Sequence, residues 1–162
     1  MEMRVEESIE IEVPPSVVYE AVTNVADMGR WSPECTGGEV KGEDILDRQV
    51  KPGMRFTGHN ASAKRRWSTH CTVTAAEPGQ KFTFLAKAAG LRISIWSYRF
   101  EPLSYGRATK VTETWIDERG WFMRFIGPRV SGIHDRAAYN RQSMRTTLER
   151  LKETLEKDHQ SA

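Results

Sequence analysis

A carboxylic acid set between large apolar neighbours is the feature of this chain best suited to chemistry. In Val111-Thr112-Glu113-Thr114-Trp115, the two-residue period of a strand puts Glu113 on the same face as Val111 and Trp115. A carboxyl on such a face pairs with an arginine, hydrogen-bonds to a tyrosine or tryptophan, or holds a raised pKa suited to general acid–base work. Tyr98, which shares a face with Trp96 and Phe100, is a second candidate for moving protons. The third is His134, since imidazole titrates near neutral pH. Of the other histidines, His59 and His70 read outward and His159 lies in the tail. Asn140 falls in the middle of the apolar stripe of the last helix. An amide there must find a partner or water, because leaving it unpaired costs about 1–3 kcal/mol. There is no GxSxG, no HExxH and no phosphate-cradling glycine loop. Cys35 and Cys71 lack CxxC pairing and histidine spacing, so no metal and no cofactor is expected. Cys71 reads as a small buried hydrophobe.

The elements that must position these groups follow from periodicity. Val5, Ile9, Ile11 and Val13 alternate with Glu6, Ser8, Glu10 and Glu12, which predicts a half-buried strand. Pro14-Pro15-Ser16 ends it and opens a short helix with an apolar face of Val17, Val18, Ala21 and Val22. A second helical turn spans Val25 to Arg30. Six further strands are predicted over Gly38–Gly42, Met54–Ala61, Arg66–Ala76, Lys81–Lys87, Ile93–Glu101 and Arg107–Asp117. Turn-rich separators such as Lys51-Pro52-Gly53 and Glu77-Pro78-Gly79-Gln80 divide them. With no long helix between them, they form an antiparallel sheet. Arg119 to Gly132 reads as an aromatic and basic connection. The chain then ends in one amphipathic helix from about Ile133 to Lys157, with Ile133, Ala137, Met144, Leu148, Leu151 and Leu155 on one stripe. On the inner faces of the strands, Phe56 takes Gly58 and Asn60 with it, and Trp67 takes Thr69, Cys71 and Val73.

Bulk properties narrow the function classes. The 162 residues fit one domain, taken as 1–162, with enough chain for a real core or a hollow one. Hydrophobic and charged contents of 38% and 28% are those of a globular protein. The net charge is only +2, yet the stretch from Arg119 to Arg150 holds seven arginines against two acids, so the rest of the chain is net negative. No exposed aromatic platform interleaves with Lys and Arg on the strands, which disfavours nucleic acid. The acid-rich N-terminus lacks a signal-peptide core, and no apolar run approaches the roughly 20 residues of a membrane span. A reduced, cytoplasmic compartment is therefore expected.

The ordered set of motifs resembles the START and polyketide cyclase/dehydrase superfamily, the helix-grip fold. The resemblance covers nearly the whole chain. It is carried by Pro14-Pro15-Ser16, Trp31-Ser32-Pro33, Pro52-Gly53-Met54-Arg55-Phe56, and Phe56-Thr57-Gly58-His59-Asn60 with Trp67. Val73 with Glu77-Pro78-Gly79, and Trp96 through Pro102 leading to Thr112-Glu113-Thr114-Trp115, complete it. The resemblance implies an α+β fold in which a seven-stranded antiparallel sheet wraps the C-terminal helix, with two short helices after strand 1, and encloses a ligand cavity. Phe56, Asn60, Trp67, Trp96, Tyr98, Glu113, Trp115, Asn140 and Met144 are the expected lining, mostly apolar with a few polar points. The alternative is that the tryptophans simply fill the core. Trp121, Phe122, Phe125 and Ile126 would form a lid or mouth. With Arg119, Arg124 and Arg129 they could meet an anionic lipid surface or an acidic carrier protein; otherwise they cap the sheet's open end. The leading expectation is binding of a small hydrophobic or amphipathic ligand. A polyketide cyclase- or dehydratase-type enzyme using the same cavity, and a co-chaperone-like interaction module, remain open beside it.

Overall fold

The computed structural model describes residues 3–42 and 49–161. β1 (Arg4–Ile11) leads into α1 (Pro15–Thr23), a short 3-10 turn and α2 (Met28–Trp31). Six strands follow: β2 (Cys35–Val40), β3 (Arg55–Ser62), β4 (Arg65–Glu77), β5 (Lys81–Ala88), β6 (Leu91–Leu103) and β7 (Ala108–Asp117). α3 (Trp121–Ser131) and α4 (Arg136–Gln160) close the chain. The sheet order is β1-β7-β6-β5-β4-β3-β2, antiparallel throughout; β2 to β7 pair in chain succession, and β1 closes against β7. The α+β, seven-stranded architecture with a long C-terminal helix is therefore as expected, and the departures are local.

Register explains how one face of the sheet becomes a wall. Tyr98 stands opposite Glu113, and Trp96 opposite Trp115. Phe84 faces Trp96, Phe56 faces Cys71, and Asn60 faces Trp67. Directly opposed residues share a face, so these side chains form a continuous concave surface. Irregular pairing between Val73 and Ala75 and between Ala86 and Lys87 marks bulges, which bend strands and increase twist. The helix packs into that curve. Met144, Leu148, Leu151 and Leu155 of α4 are buried, and each such side chain contributes about 1.5–3 kcal/mol. At the sheet's edge Glu7 of β1 accepts from Arg141 at 2.6 Å and Arg145 at 3.2 Å, tying β1 to α4. The alternation of β1 left Glu7 unassigned; it lies on the helix-facing side, opposite Glu113.

Three expectations need correction. β2 runs over Cys35–Val40, not Gly38–Gly42, because Cys35 resumes pairing with Asn60 across an irregularity beside Gly37. The segment after Arg119 is not an irregular connection: it contains α3, an eleven-residue helix. Gly132, at φ 77°, caps it by donating its N–H to the Pro128 carbonyl at 2.8 Å, the left-handed closure that glycine favours. Finally, α4 starts at Arg136 and not at Ile133. Asp135 stops it there, its carboxylate accepting from the Ala138 N–H at 3.0 Å, and Ile133 is buried in the turn between the helices.

Candidate functional site

Sheet, α4 and α3 enclose a cavity of about 370 Å³, within the range of small-molecule sites. Its sheet wall carries Phe56, Asn60, Trp67, Cys71, Phe84, Trp96, Tyr98, Glu113 and Trp115. α4 adds Arg136, Asn140, Ser143, Met144, Thr147 and Leu151, and α3 adds Met123, Ile126, Gly127 and Val130. Room is made partly by Gly58, which also lines the cavity. A Cβ there would approach Thr69 Oγ1 to 3.0 Å.

The polar groups are few and unevenly served. Glu113 is 3% exposed. Its Oε1 accepts from the Tyr98 hydroxyl at 2.7 Å, and its Oε2 has no partner among the described residues. Burial raises its pKa to about 8, only partly countered by the Tyr98 hydrogen bond. Burial and the neighbouring Glu113 push the Tyr98 phenol well above its ordinary range. At neutral pH the carboxyl is thus mainly protonated and presents an O–H where an ionised acid could only accept. Trp31 Nε1 and Ser143 Oγ are also buried without partners among the described residues, and both residues line the same cavity.

Nearer α2, a second polar cluster forms. One Arg136 nitrogen donates to both Glu34 oxygens, at 2.9 and 2.8 Å, and lies 3.5 Å from Asn140 Oδ1. The guanidinium sits over the Trp67 and Tyr139 rings, 5.9 and 5.5 Å from their centroids. Burial raises the Glu34 pKa even though Arg136 works against it. The Cys71 thiol, pushed up to about 12 by burial, is too weak an acid to supply a thiolate near neutral pH. Among the described residues no group of three His, Cys, Asp or Glu could hold a metal ion, and no helix is long and apolar enough to cross a membrane.

A profile of the family described as polyketide cyclase / dehydrase and lipid transport matches residues 2–156. The chain belongs to that family. No curated protein is a significant sequence match. Among solved structures, a polyketide cyclase-like protein from Corynebacterium glutamicum is similar at 29% identity and a TM-score of 0.64, over 96% of this chain and 93% of that one. Zhui, an aromatase/cyclase from a Streptomyces species, shares 14% identity with a TM-score of 0.70, over 96% and 94% of the two chains. StfQ, a di-domain ARO/CYC of the steffimycin biosynthetic pathway, is similar over 96% of this chain and 46% of its own, with a TM-score of 0.67 at 10% identity. At such identities the last two speak for the fold alone.

Within this family member, all nine residues expected to line the cavity lie on its wall. His134 does not join them: it is exposed in the turn between α3 and α4. Of the expected lid, only Ile126 faces the cavity; Trp121, Phe122 and Phe125 project into solvent. Arg119 is not a free cation. Its side chain makes two hydrogen bonds of 2.9 Å to Asp117. Sequence reasoning passed over Trp31, Glu34, Arg136 and Ser143. Arg136 and Ser143 could have been found from their helical spacing of four and three around Asn140.

Proposed function

We propose that the protein binds a small hydrophobic or amphipathic molecule, of lipid, polyketide or isoprenoid type, in the cavity between sheet and α4. One observation carries this reading. The 370 Å³ space is mainly apolar, yet three buried polar atoms that have no partner among the described residues, Glu113 Oε2, Trp31 Nε1 and Ser143 Oγ, belong to residues on its wall. Buried polar atoms are nearly always satisfied, so three orphans at one cavity mark where a ligand's oxygens would sit. Burial of apolar ligand surface at roughly 25 cal/mol per Å² supplies affinity, and these atoms orient the molecule. The neutral Glu113 carboxyl suits a carbonyl or hydroxyl oxygen better than an anion. A cytoplasmic setting is part of the proposal, supported by two free cysteines.

A second reading, a cyclase- or dehydratase-type enzyme, is favoured by the Tyr98–Glu113 pair. A carboxyl with a pKa of about 8 beside a phenol is poised to exchange a proton near neutral pH. Native mass spectrometry of freshly purified protein tests the first reading: an added mass that leaves on denaturation is expected. A bare chain, with no lipid or polyketide retained on addition, counts against it. Glu113→Gln separates the two readings, because the amide still donates but cannot transfer a proton. Binding then changes only a few-fold, whereas an enzyme loses about 10²-fold or more in rate.

A further inference from the structure

We propose that α3, with the β3–β4 and β5–β6 turns beside it, is a docking surface for an anionic lipid bilayer. This rests on the ligand-carrier reading and adds where such a carrier would load. α3 has two apolar faces. Met123, Ile126 and Gly127 line the cavity, while Trp121, Phe122 and Phe125 are 82%, 47% and 61% exposed. Globular surfaces rarely gather large apolar groups without a partner. Leu91, at the β5–β6 turn, is likewise exposed, and Ala88 and Ala89 of that turn line the same cavity. The β3–β4 turn meets α3 directly, with Arg65 donating to the Arg129 carbonyl.

Charge selects the partner. Residues 61–69, 86–95 and 117–132 together hold eight Lys and Arg against two acids, in a chain whose net charge is only +2. Both acids are already engaged, Asp117 with Arg119 and Glu118 with Arg92. Beyond those two pairs, Lys64, Arg65, Arg66, Arg124 and Arg129 are exposed around the aromatic points. Trp, Phe and Leu tips ringed by cations fit the headgroup boundary of an anionic membrane. An acidic carrier protein would use the cations but leave three projecting aromatic side chains without a role. The aromatic face and the cavity share one helix, so an apolar ligand could pass between bilayer and cavity with little exposure to water.

The test is sedimentation of the full chain with vesicles of phosphatidylcholine alone and with phosphatidylglycerol mixed in. Wild type is expected to bind only the mixed vesicles and to release in high salt. Arg124→Gln with Arg129→Gln should weaken binding about 25-fold, roughly fivefold per cation. Trp121→Ser with Phe125→Ser should weaken it about tenfold or more, and because these side chains are exposed the melting temperature should hold. No binding to mixed vesicles at low salt, or binding that neither pair alters, overturns the proposal; so does binding to an acidic carrier protein in place of vesicles. Native mass spectrometry of the same samples separates the two ideas. A retained ligand without vesicle binding removes the docking surface alone, whereas vesicle binding with an unloadable cavity keeps the surface and removes the carrier.

Discussion

Two buried carboxylates lie four residues apart on one face of β7, and arginine makes the difference between them. At the strand's end, Asp117 has a side chain only 1% exposed. Burial alone would raise its pKa, but hydrogen bonds and charge from Arg119, with Arg124 3.8 Å away, hold it below the usual range. Glu113, nearer the centre of the wall, has burial and a neutral phenol, and its pKa rises to about 8. Residues of one chemical type on one face thus take opposite protonation states at pH 7. Asp117 is an anion that pins Arg119, its own loop and the entry to α3. Glu113 is mainly an acid that keeps its proton beside a cavity.

The largest expected effect of breaking this contrast comes from Glu113→Gln. Because the folded pKa lies above the ordinary value of 4.5, the folded state binds the extra proton between these values. Wild-type stability therefore declines as pH rises from 4.5 to about 8. The full decline amounts to as much as about 5 kcal/mol. Gln removes it, so the variant should gain on wild type across that window and overtake it at alkaline pH; denaturant midpoints against pH measure this. A constant difference between the two would mean that Glu113 ionises normally. Asp117→Asn should act in the opposite sense. It leaves Arg119 without a counter-charge and should cost about 2–3 kcal/mol at neutral pH, with a lower melting temperature. Since the folded Asp117 pKa is lowered from 3.8, that penalty is full above 3.8 and fades as pH falls through the folded value. A penalty unchanged in acid would show that shape, not charge, holds Arg119.

Glu113 and Asp117 also show how far the sequence could be read. Alternation placed Glu113 among apolar neighbours on an inner face, and a stripe of spacing three and four placed Asn140 and Met144 against it. Those periods survive folding because burial enforces them. The Tyr98–Glu113 bond is different, since it depends on the register of β6 against β7, which no local pattern encodes. Glu34 and Arg136 are 102 residues apart, so only the closed fold makes them neighbours. α3 was hidden by its own composition. Gly127 and Pro128 signal a break, and apolar residues on both faces erase the helical period. Its boundary with α4 was legible in principle, for Asp135 is a common N-cap type, but the apolar stripe extended through Ile133 and obscured it.

Glu34 is the intermediate case that sharpens the comparison, and its replacement carries the smallest effect. It has an arginine, as Asp117 does, yet its pKa is raised, because burial outweighs the single Arg136 nitrogen that serves both oxygens. Both side chains keep some exposure, 17% and 15%, and a Gln can still accept from Arg136. Glu34→Gln should therefore cost only about 1 kcal/mol. The sign of its pH dependence is the informative part. With a folded pKa above the ordinary value of 4.5, wild type loses stability as pH rises from that value through the folded one. The gap between wild type and Glu34→Gln should close as pH increases, whereas the gap for Asp117→Asn opens. Two aspartate- and glutamate-arginine pairs in one molecule would then respond to pH in opposite directions, because one arginine surrounds its carboxylate and the other touches it with a single nitrogen. A Glu34→Gln gap that opens with pH would instead show that Arg136 outweighs burial and that the two pairs are alike.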